Sequence, residues 1–189
     1  FGLSAVKSLG RPTIKAIIDE RNKSRFTSMQ DFISRLYTDL NKRTLENLIK
    51  SGAFDTIGNN RRQMMSVYAR MLDNEAKQGK DAISGQMSLF DLVDESEKSQ
   101  FEIKMPDVSE YTKEDILAFE KEVLGVYVSG HPLDEYAAMS KKHISAMSTD
   151  FELDDETGEP KVKVDSKATI GGMIMAKSVK PTKTGQLMA

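Results

Sequence analysis

Apolar residues recur at helical spacing through residues 1–75 and predict short helices joined by tight turns. The first carries Ile14, Ile17 and Ile18 on one face, behind the start signal Gly10-Arg11-Pro12. Thr27, followed three residues later by Gln30, reads as a capping box for a second helix that turns Phe32, Ile33 and Leu36 inward. Asn41 is placed to cap a third, with Leu45, Leu48 and Ile49 inward and Gly52 as its stop. Met64, Tyr68, Met71 and Leu72 line one side of a fourth. Segments this short are marginal alone, so each must bury its apolar face against the others.

Between residues 74 and 111 the periodicity fades. A polar stretch from Lys77 to Gln86 contains two glycines, an apolar island follows at residues 87–92, and Asp94, Glu95 and Glu97 then make the chain acidic. This composition predicts a mobile linker. Helical spacing returns after a Thr112-x-x-Asp115 cap, with Ile116, Phe119, Val123 and Tyr127 on one face, and stops near Gly125. The turn Ser129-Gly130-His131-Pro132 follows, then a short segment over residues 136–144 and an acidic loop at 154–160. Residues 168–177 and 185–189 read as one strand and the beginning of a second, flanking a basic turn. Two strands alone do not make a stable sheet, so the fold they open is expected to be cut. With no initiator Met at Phe1 and a strand running to Ala189, the chain reads as an excised piece of a longer, cytoplasmic protein.

Composition narrows the chemistry. The 189 residues contain no cysteine, which excludes disulfides, thiolate metal sites and cysteine nucleophiles. Only two histidines occur, His131 and His143, and no apolar run approaches the roughly 20 residues of a spanning helix. The formal charge of -2 hides three blocks. Residues 1–80 carry fifteen Lys/Arg against eight Asp/Glu, residues 81–160 six against twenty, and residues 161–189 six against one, giving +7, -14 and +5. A basic block beside an acidic one suits a chain of which only part meets a polyanion, although solvated helix faces produce the same pattern.

Three motifs carry candidate function. In Val6-Lys7-Ser8-Leu9-Gly10-Arg11-Pro12, an apolar-x-small-apolar-Gly turn leads into a helix, which is the helix-hairpin-helix pattern, with Ser8 where that pattern prefers glycine. Such a turn, here Lys7, Ser8, Leu9 and Gly10, presents backbone amides at a helix N-terminus to a phosphate; Gly10 lets the backbone approach closely, and Lys7, Arg11 and Lys15 add charge. Contacts of this kind read the phosphodiester backbone and not the bases. An ordinary Gly-Pro helix start is the plainer reading. The second motif places Lys42 and Arg43 at another helix start, in Asn41-Lys42-Arg43-Thr44-Leu45. Alone, Lys42 and Arg43 read equally as exposed cations; two such elements in one basic block favour a tandem phosphate clamp. The third is Gln86-Met87-Ser88-Leu89-Phe90 within the linker. Its adjacent apolar pair suits a pocketed partner surface, with the glutamine amide fixing orientation; the alternative is that Leu89 and Phe90 fold back onto this chain's own core. No catalytic constellation is present: Asp154, Asp155 and Glu156 are consecutive in a Gly/Pro-containing loop, His131 precedes Pro132 as a turn residue, and no phosphate-binding loop or His-Glu-x-x-His occurs.

In order, these pieces resemble the C-terminal half of the bacterial C-family replicative DNA polymerases, the polymerase III alpha subunits. The likeness rests on Phe1-Gly2-Leu3-Ser4-Ala5-Val6-Lys7, Asn41-Lys42-Arg43, Ser51-Gly52-Ala53-Phe54-Asp55, Gly85 to Phe90, and the block from Glu120 to Leu133. It implies a mainly α chain: a tandem helix-hairpin-helix DNA-binding domain at residues 1–75, a flexible linker at 76–111, a helical connector at 112–145, and a linker with the first strands of a truncated OB-fold barrel at 146–189. On that resemblance Lys7 to Gly10 and Lys42-Arg43 fall on the hairpins that grip duplex DNA without regard to sequence. Gln86, Ser88, Leu89 and Phe90 match an internal peptide that binds the sliding clamp, the beta subunit. The OB-fold is associated with single-stranded template. The catalytic aspartates and their two divalent metal ions, such as magnesium, belong to a palm domain upstream, so no cofactor is expected in these residues. Other replicase subunits are implied partners, and a membrane is not. A stand-alone helix-hairpin-helix adaptor of DNA repair and a protein-interaction scaffold are the competing readings.

Overall fold

A computed structural model describes residues 2–57, 59–83, 103–155, 157–174, 176–181 and 187–188. The architecture is mainly helical, as the spacing predicts, and it divides into two compact units, Phe1–Gly130 and His131–Ala189.

Among its described residues the first unit is a bundle of five helices. A 3-10 turn at Leu3–Ala5 leads into α1 (Arg11–Lys23), α2 (Met29–Leu36), α3 (Lys42–Lys50) and α4 (Arg61–Ile83), and α5 (Lys113–Leu124) joins them. Phe32, Ile33, Leu45, Leu48, Ile49, Met64 and Val67 form the centre of the core, each at most 4% exposed. Phe32 sits edge-on to both Phe26 and Phe54, at 4.9 and 5.0 Å between ring centres. Arg35 lies over Phe26 at 4.4 Å and pairs with Glu20 at 3.3 Å, tying α2 to α1.

Most helix ends follow local chemistry. The Asn41 side chain accepts the Thr44 amide to start α3. At its end Gly52 (φ 78°) donates to Ile49 O and Ala53 to Leu48 O, the two bonds of a Schellman motif. Asn60 and Gln63 exchange bonds in a capping box at the start of α4, where the Glu110 carboxylate also accepts the Arg61 and Arg62 amides. Thr112 caps α5 through the Asp115 amide. The start of α2 differs by one residue from its expected position. Ser28 takes the cap, accepting from Asp31 N, and Asp31 answers by accepting the Thr27 amide. Gln30 is thereby released to hydrogen-bond Glu75 on α4.

Two expected boundaries move. The fading pattern after residue 74 does not end α4, which continues to Ile83. Its polar second half is held by Gln30 against Glu75 and by Gly79, which packs on the Tyr37 ring and leaves no room for a Cβ. After the undescribed residues 84–102, the chain returns to the start of α4: Gln63 donates to Pro106 O and Asn60 to Val108 O. The helix read as the opening of a connector is therefore part of the first unit.

A buried ion network explains why. The Arg61 guanidinium donates to both oxygens of Asp55 (3.0 and 2.7 Å), to Lys50 O (3.1 Å) and to Glu120 Oε1 on α5 (3.1 Å). Glu120 is fully buried, and also accepts the amides of Val128 and Ser129 and the Ser129 hydroxyl. The buried face of α5 is Leu117, Glu120 and Val123, so it is rotated from the predicted one.

The second unit is less regular. A 3-10 turn at Asp134–Tyr136 runs into α6 (Ala137–His143), and a second 3-10 turn spans Ser148–Phe151. The acidic loop is closed by a bridge between Leu153 and Pro160, with Thr157 N donating to Asp154 Oδ1. The expected strand at 168–177 is corrected. Among its described residues the backbone is irregular, and antiparallel pairing is confined to β1 (Lys180–Pro181) and β2 (Leu187–Met188). A strand needs a neighbour along its edge, and this stretch is met at Thr169 O by the amides of Ser145 and Ala146. Ile170 and Ile174 consequently stay 65% and 87% exposed. No barrel is formed by the described residues.

Replacing Arg61 by Leu leaves the Glu120 carboxylate buried without its cation, and urea unfolding is expected to show a loss of about 3–5 kcal/mol. Burial works against the Glu120 charge, but the Ser129 and Val128 donors and Arg61 outweigh it and hold the carboxyl below its ordinary value of 4.5. A depressed carboxylate adds stability above its unfolded pKa, lost as pH falls through the folded one. Glu120→Gln should therefore flatten the decline in stability below about pH 4.5 seen in the parent; an unchanged acid limb would reject this role.

Candidate nucleic-acid interface

The first hairpin turn is built by three long-range hydrogen bonds. Asn47 Nδ2 donates to Lys7 O (2.7 Å), Thr44 Oγ1 donates to Ser8 O (3.2 Å), and Lys7 N donates to Val123 O on α5 (2.9 Å). Thr44 and Asn47 are one turn apart on α3, which aims both at the same loop, and both are buried. Their polar atoms are thus satisfied by the turn, and the turn's carbonyls are fixed by them. Neither residue was singled out by sequence reasoning; their helical spacing behind Lys42-Arg43 was the available signal.

Ser8 occupies the left-handed region at φ 64°. This is the conformation for which the hairpin pattern uses glycine, so the departure at Ser8 is one of residue type and not of backbone path.

The consequence is a shallow cleft lined by Lys7, Ser8, Lys42, Arg43, Glu46, Asn47, Glu122 and Val123. Four of the predicted phosphate-binding residues, two from each motif, meet there although they lie more than thirty positions apart. The others lie outside its lining: Leu9 packs against the core, Gly10 is the N-cap of α1, Arg11 is exposed, and Lys15 pairs with Asp19. Among the helices of the first unit with a described cap, α1 alone starts without a side-chain cap, so its first amides are not occupied by a side chain.

Acids in the cleft are internally engaged. Glu46 and Glu122 both pair with Lys50, at 2.9 and 3.2 Å, while Lys50 lies 5.5 Å from the centre of the Phe119 ring. Burial disfavours the Lys50 charge, yet hydrogen bonds to both carboxylates hold the ammonium above the ordinary lysine range. Lys42 pairs with Asp73 at 2.7 Å, both partners being more than half exposed. Lys7 and Arg43 are exposed and have no ion pair among the described residues. The cleft thus presents cations beside a constrained backbone turn, which is the chemistry of anion binding.

No group of three or more His, Asp or Glu among the described residues is placed to hold a metal ion, and none of the described helices is long and apolar enough to cross a membrane. The candidate partner-binding residues Gln86, Ser88, Leu89 and Phe90 lie outside the described residues.

Residues 1–64 match the family model described as a helix-hairpin-helix motif. Over 97% of its length the chain is 35% identical to "DNA polymerase III subunit alpha" of Borreliella burgdorferi, covering 15% of that protein. It is 34% identical to the subunit of the same description from Mycobacterium leprae over 98% of the chain and 15% of the relative. With that of Deinococcus radiodurans the identity is 35%, over 100% of the chain and 14% of the relative. The chain therefore spans about one seventh of the length of these relatives.

An L-residue in the left-handed region costs about 1–2 kcal/mol, and the greater freedom of glycine in the unfolded chain offsets about 0.4–1 kcal/mol of what glycine would recover. Ser8→Gly should consequently raise stability by about 0.5–1 kcal/mol in thermal or urea unfolding. A destabilised variant would show that Ser8 holds the turn by its side chain.

Proposed function

Starting from the DNA polymerase III alpha-subunit family, to which this chain belongs, we propose that it is the non-catalytic region that grips duplex DNA through backbone phosphates and tethers the polymerase to its sliding clamp. The observation that carries the DNA reading is the convergence of Lys7, Ser8, Lys42 and Arg43 on one cleft. A replicating enzyme needs a hold that ignores sequence, and cations with backbone amides supply it at phosphates. Gly10 and Arg11, at the uncapped start of α1, add amides to the same hairpin, and Leu9 anchors its turn in the core. Lys42 has three N–H donors, so it meets a phosphate while keeping its exposed ion pair with Asp73.

Gln86, Ser88, Leu89 and Phe90 form the clamp-binding peptide in this reading. The described stretches on both sides of it, α4 and residues 103–111, belong to the same helical unit. The peptide therefore joins the clamp to the DNA-gripping unit itself, and tethering raises the concentration of the polymerase at the primer end. Residues 146–189 begin an OB-fold that meets single-stranded template; the exposed Met147, Leu153, Val164 and Ile174 are the apolar side chains a completed barrel would cover. Nucleotidyl transfer and its two divalent metal ions belong to other regions of the subunit. The setting is the bacterial cytoplasm, with duplex DNA, the clamp and other replicase subunits as partners.

Fluorescence anisotropy with labelled duplexes tests the grip. Lys7→Gln with Arg43→Gln should weaken binding roughly tenfold at low salt, the scale of two lost phosphate contacts, for every duplex sequence; unchanged affinity overturns the cleft assignment. For the tether, Leu89→Ala with Phe90→Ala should abolish retention by the immobilised clamp while duplex affinity stays at the parent level. Equal retention of parent and variant would reject the peptide.

A further inference from the structure

The exposed face of α4 carries a stripe of charge to which no motif drew attention. Positions 62, 66, 70, 73, 77 and 80 recur at intervals of three or four and fall on one side of the helix. That side is opposite Met64, Val67 and Met71, which are buried, and all six stripe residues are exposed. Four are cations: Arg62, Arg70, Lys77 and Lys80. Arg62 lies 5.9 Å from the centre of the Tyr111 ring, and none of the four has an ion pair among the described residues. Elsewhere in the unit Lys15, Lys23, Arg35 and Lys50 are each held by a carboxylate, whereas Lys7 and Arg43 of the cleft share with these four the lack of an ion pair among the described residues.

The acid on the stripe is Asp73, and Lys42 of the hairpin cleft neutralises it at 2.7 Å. That ion pair has two effects. It removes the negative charge that would interrupt the stripe, and it places the cleft directly alongside the middle of α4. From Arg62 to Lys80 the helix rises about 27 Å, at 1.5 Å per residue. Duplex DNA carries one phosphate per ≈ 1.7 Å of axis over both strands, so a basic line of that length meets several phosphates at once.

We propose that the Arg62–Arg70–Lys77–Lys80 face of α4 is a second phosphate track, continuous with the hairpin cleft, on which the backbone of duplex DNA lies. It rests on the cleft being a duplex-binding site, and it extends that grip along a surface the hairpin motifs do not include. Its partner is a polyanion of regular charge spacing. The contacts are sequence-blind, and they weaken steeply with salt.

The test measures duplex affinity of the full chain across 50–300 mM salt, roughly the range over which phosphate contacts are lost. Arg70→Gln with Lys77→Gln is compared with Arg21→Gln with Arg25→Gln, which removes the same charge from exposed positions elsewhere. Glutamine keeps a good helix former at each site on α4, so the fold is preserved, and far-ultraviolet circular dichroism checks it. The α4 pair is expected to make the slope of log K against log salt shallower by about 1.8, at about 0.9 per phosphate, with the control pair changing it by less than half as much. Asp73→Asn, which removes the acid and frees Lys42, is expected to tighten binding, a gain that misfolding cannot produce. If the α4 and control pairs behave alike while Lys7→Gln with Arg43→Gln still weakens binding, the stripe is a solvated helix face and the track is overturned with the cleft intact. If none of these variants alters binding, both assignments fall.

Discussion

Arg61 is 3% exposed, and a guanidinium so buried must have partners for its N–H groups or the helix bearing it will not fold against its neighbours. The partners come from places the sequence keeps apart: Asp55 after α3, the last carbonyl of α3 at Lys50, and Glu120 on α5. Planar, forked geometry lets one side chain meet all three, which a lysine in the same place would not do. Gly52 completes the arrangement. Its left-handed φ ends α3, and its missing Cβ is the space the guanidinium and Asp55 occupy. One position thus serves the turn and the ion network together.

From this anchor the hairpin cleft follows. Holding Glu120 places α5 so that Val123 O receives the Lys7 amide and Glu122 reaches Lys50. Lys50 in turn restrains Glu46, one turn along α3 from the cations at its start. The first hairpin therefore leans on α3 through Thr44 and Asn47 and on α5 through Val123. A surface made of Lys7, Ser8, Lys42 and Arg43 exists because two remote helices agree on where one four-residue turn must sit. Such a turn, tied down on both sides, keeps its backbone amides in fixed positions.

What was legible in the sequence was local. Asn41 and Thr112 as caps, Gly52 and Gly125 as stops, and the inward faces of α2 and α3 all depend on residues within one or two turns. The cap of α2 was misplaced by one residue because Thr27 and Ser28 are chemically alike and the choice was made by Asp31. The length of α4 was hidden for a different reason. Lys77, Gln78 and Lys80 are exposed and give no apolar signal, and what holds this part of the helix, Glu75 on Gln30 and Gly79 on Tyr37, comes from α2 and the residue after it. Glu120 was illegible in principle. A carboxylate on an apolar face reads as a surface residue until its arginine, fifty-nine positions earlier, is seen beside it. The hairpin cations were found by motif, whereas their common cleft required the tertiary contacts of Thr44 and Asn47.

Charge shows the same division between composition and arrangement. A net of -2 gives no hint of a polyanion partner, and the basic residues 1–80 include eight acids. Those acids are distributed with a purpose that only the fold shows: Asp19, Glu20, Asp31, Glu46, Asp55 and Asp73 each face a lysine or arginine within the same unit. Asp39 is exposed, and Glu75 is turned toward Gln30. Acids engaged in this way contribute little field beyond their partners, because a neutral pair falls off faster than a single charge and salt screens what remains. Among the cations without such a partner are Lys7 and Arg43 in the cleft and Arg62, Arg70, Lys77 and Lys80 along α4. Most of the acidic excess lies at residues 81–160; four of its twenty acids are engaged within the helical unit, Glu110 by the first amides of α4, Asp115 by the Thr112 hydroxyl, Glu120 by Arg61 and Glu122 by Lys50. The helical unit therefore carries cations without ion pairs among the described residues, in the cleft and along α4, while the whole chain stays slightly acidic.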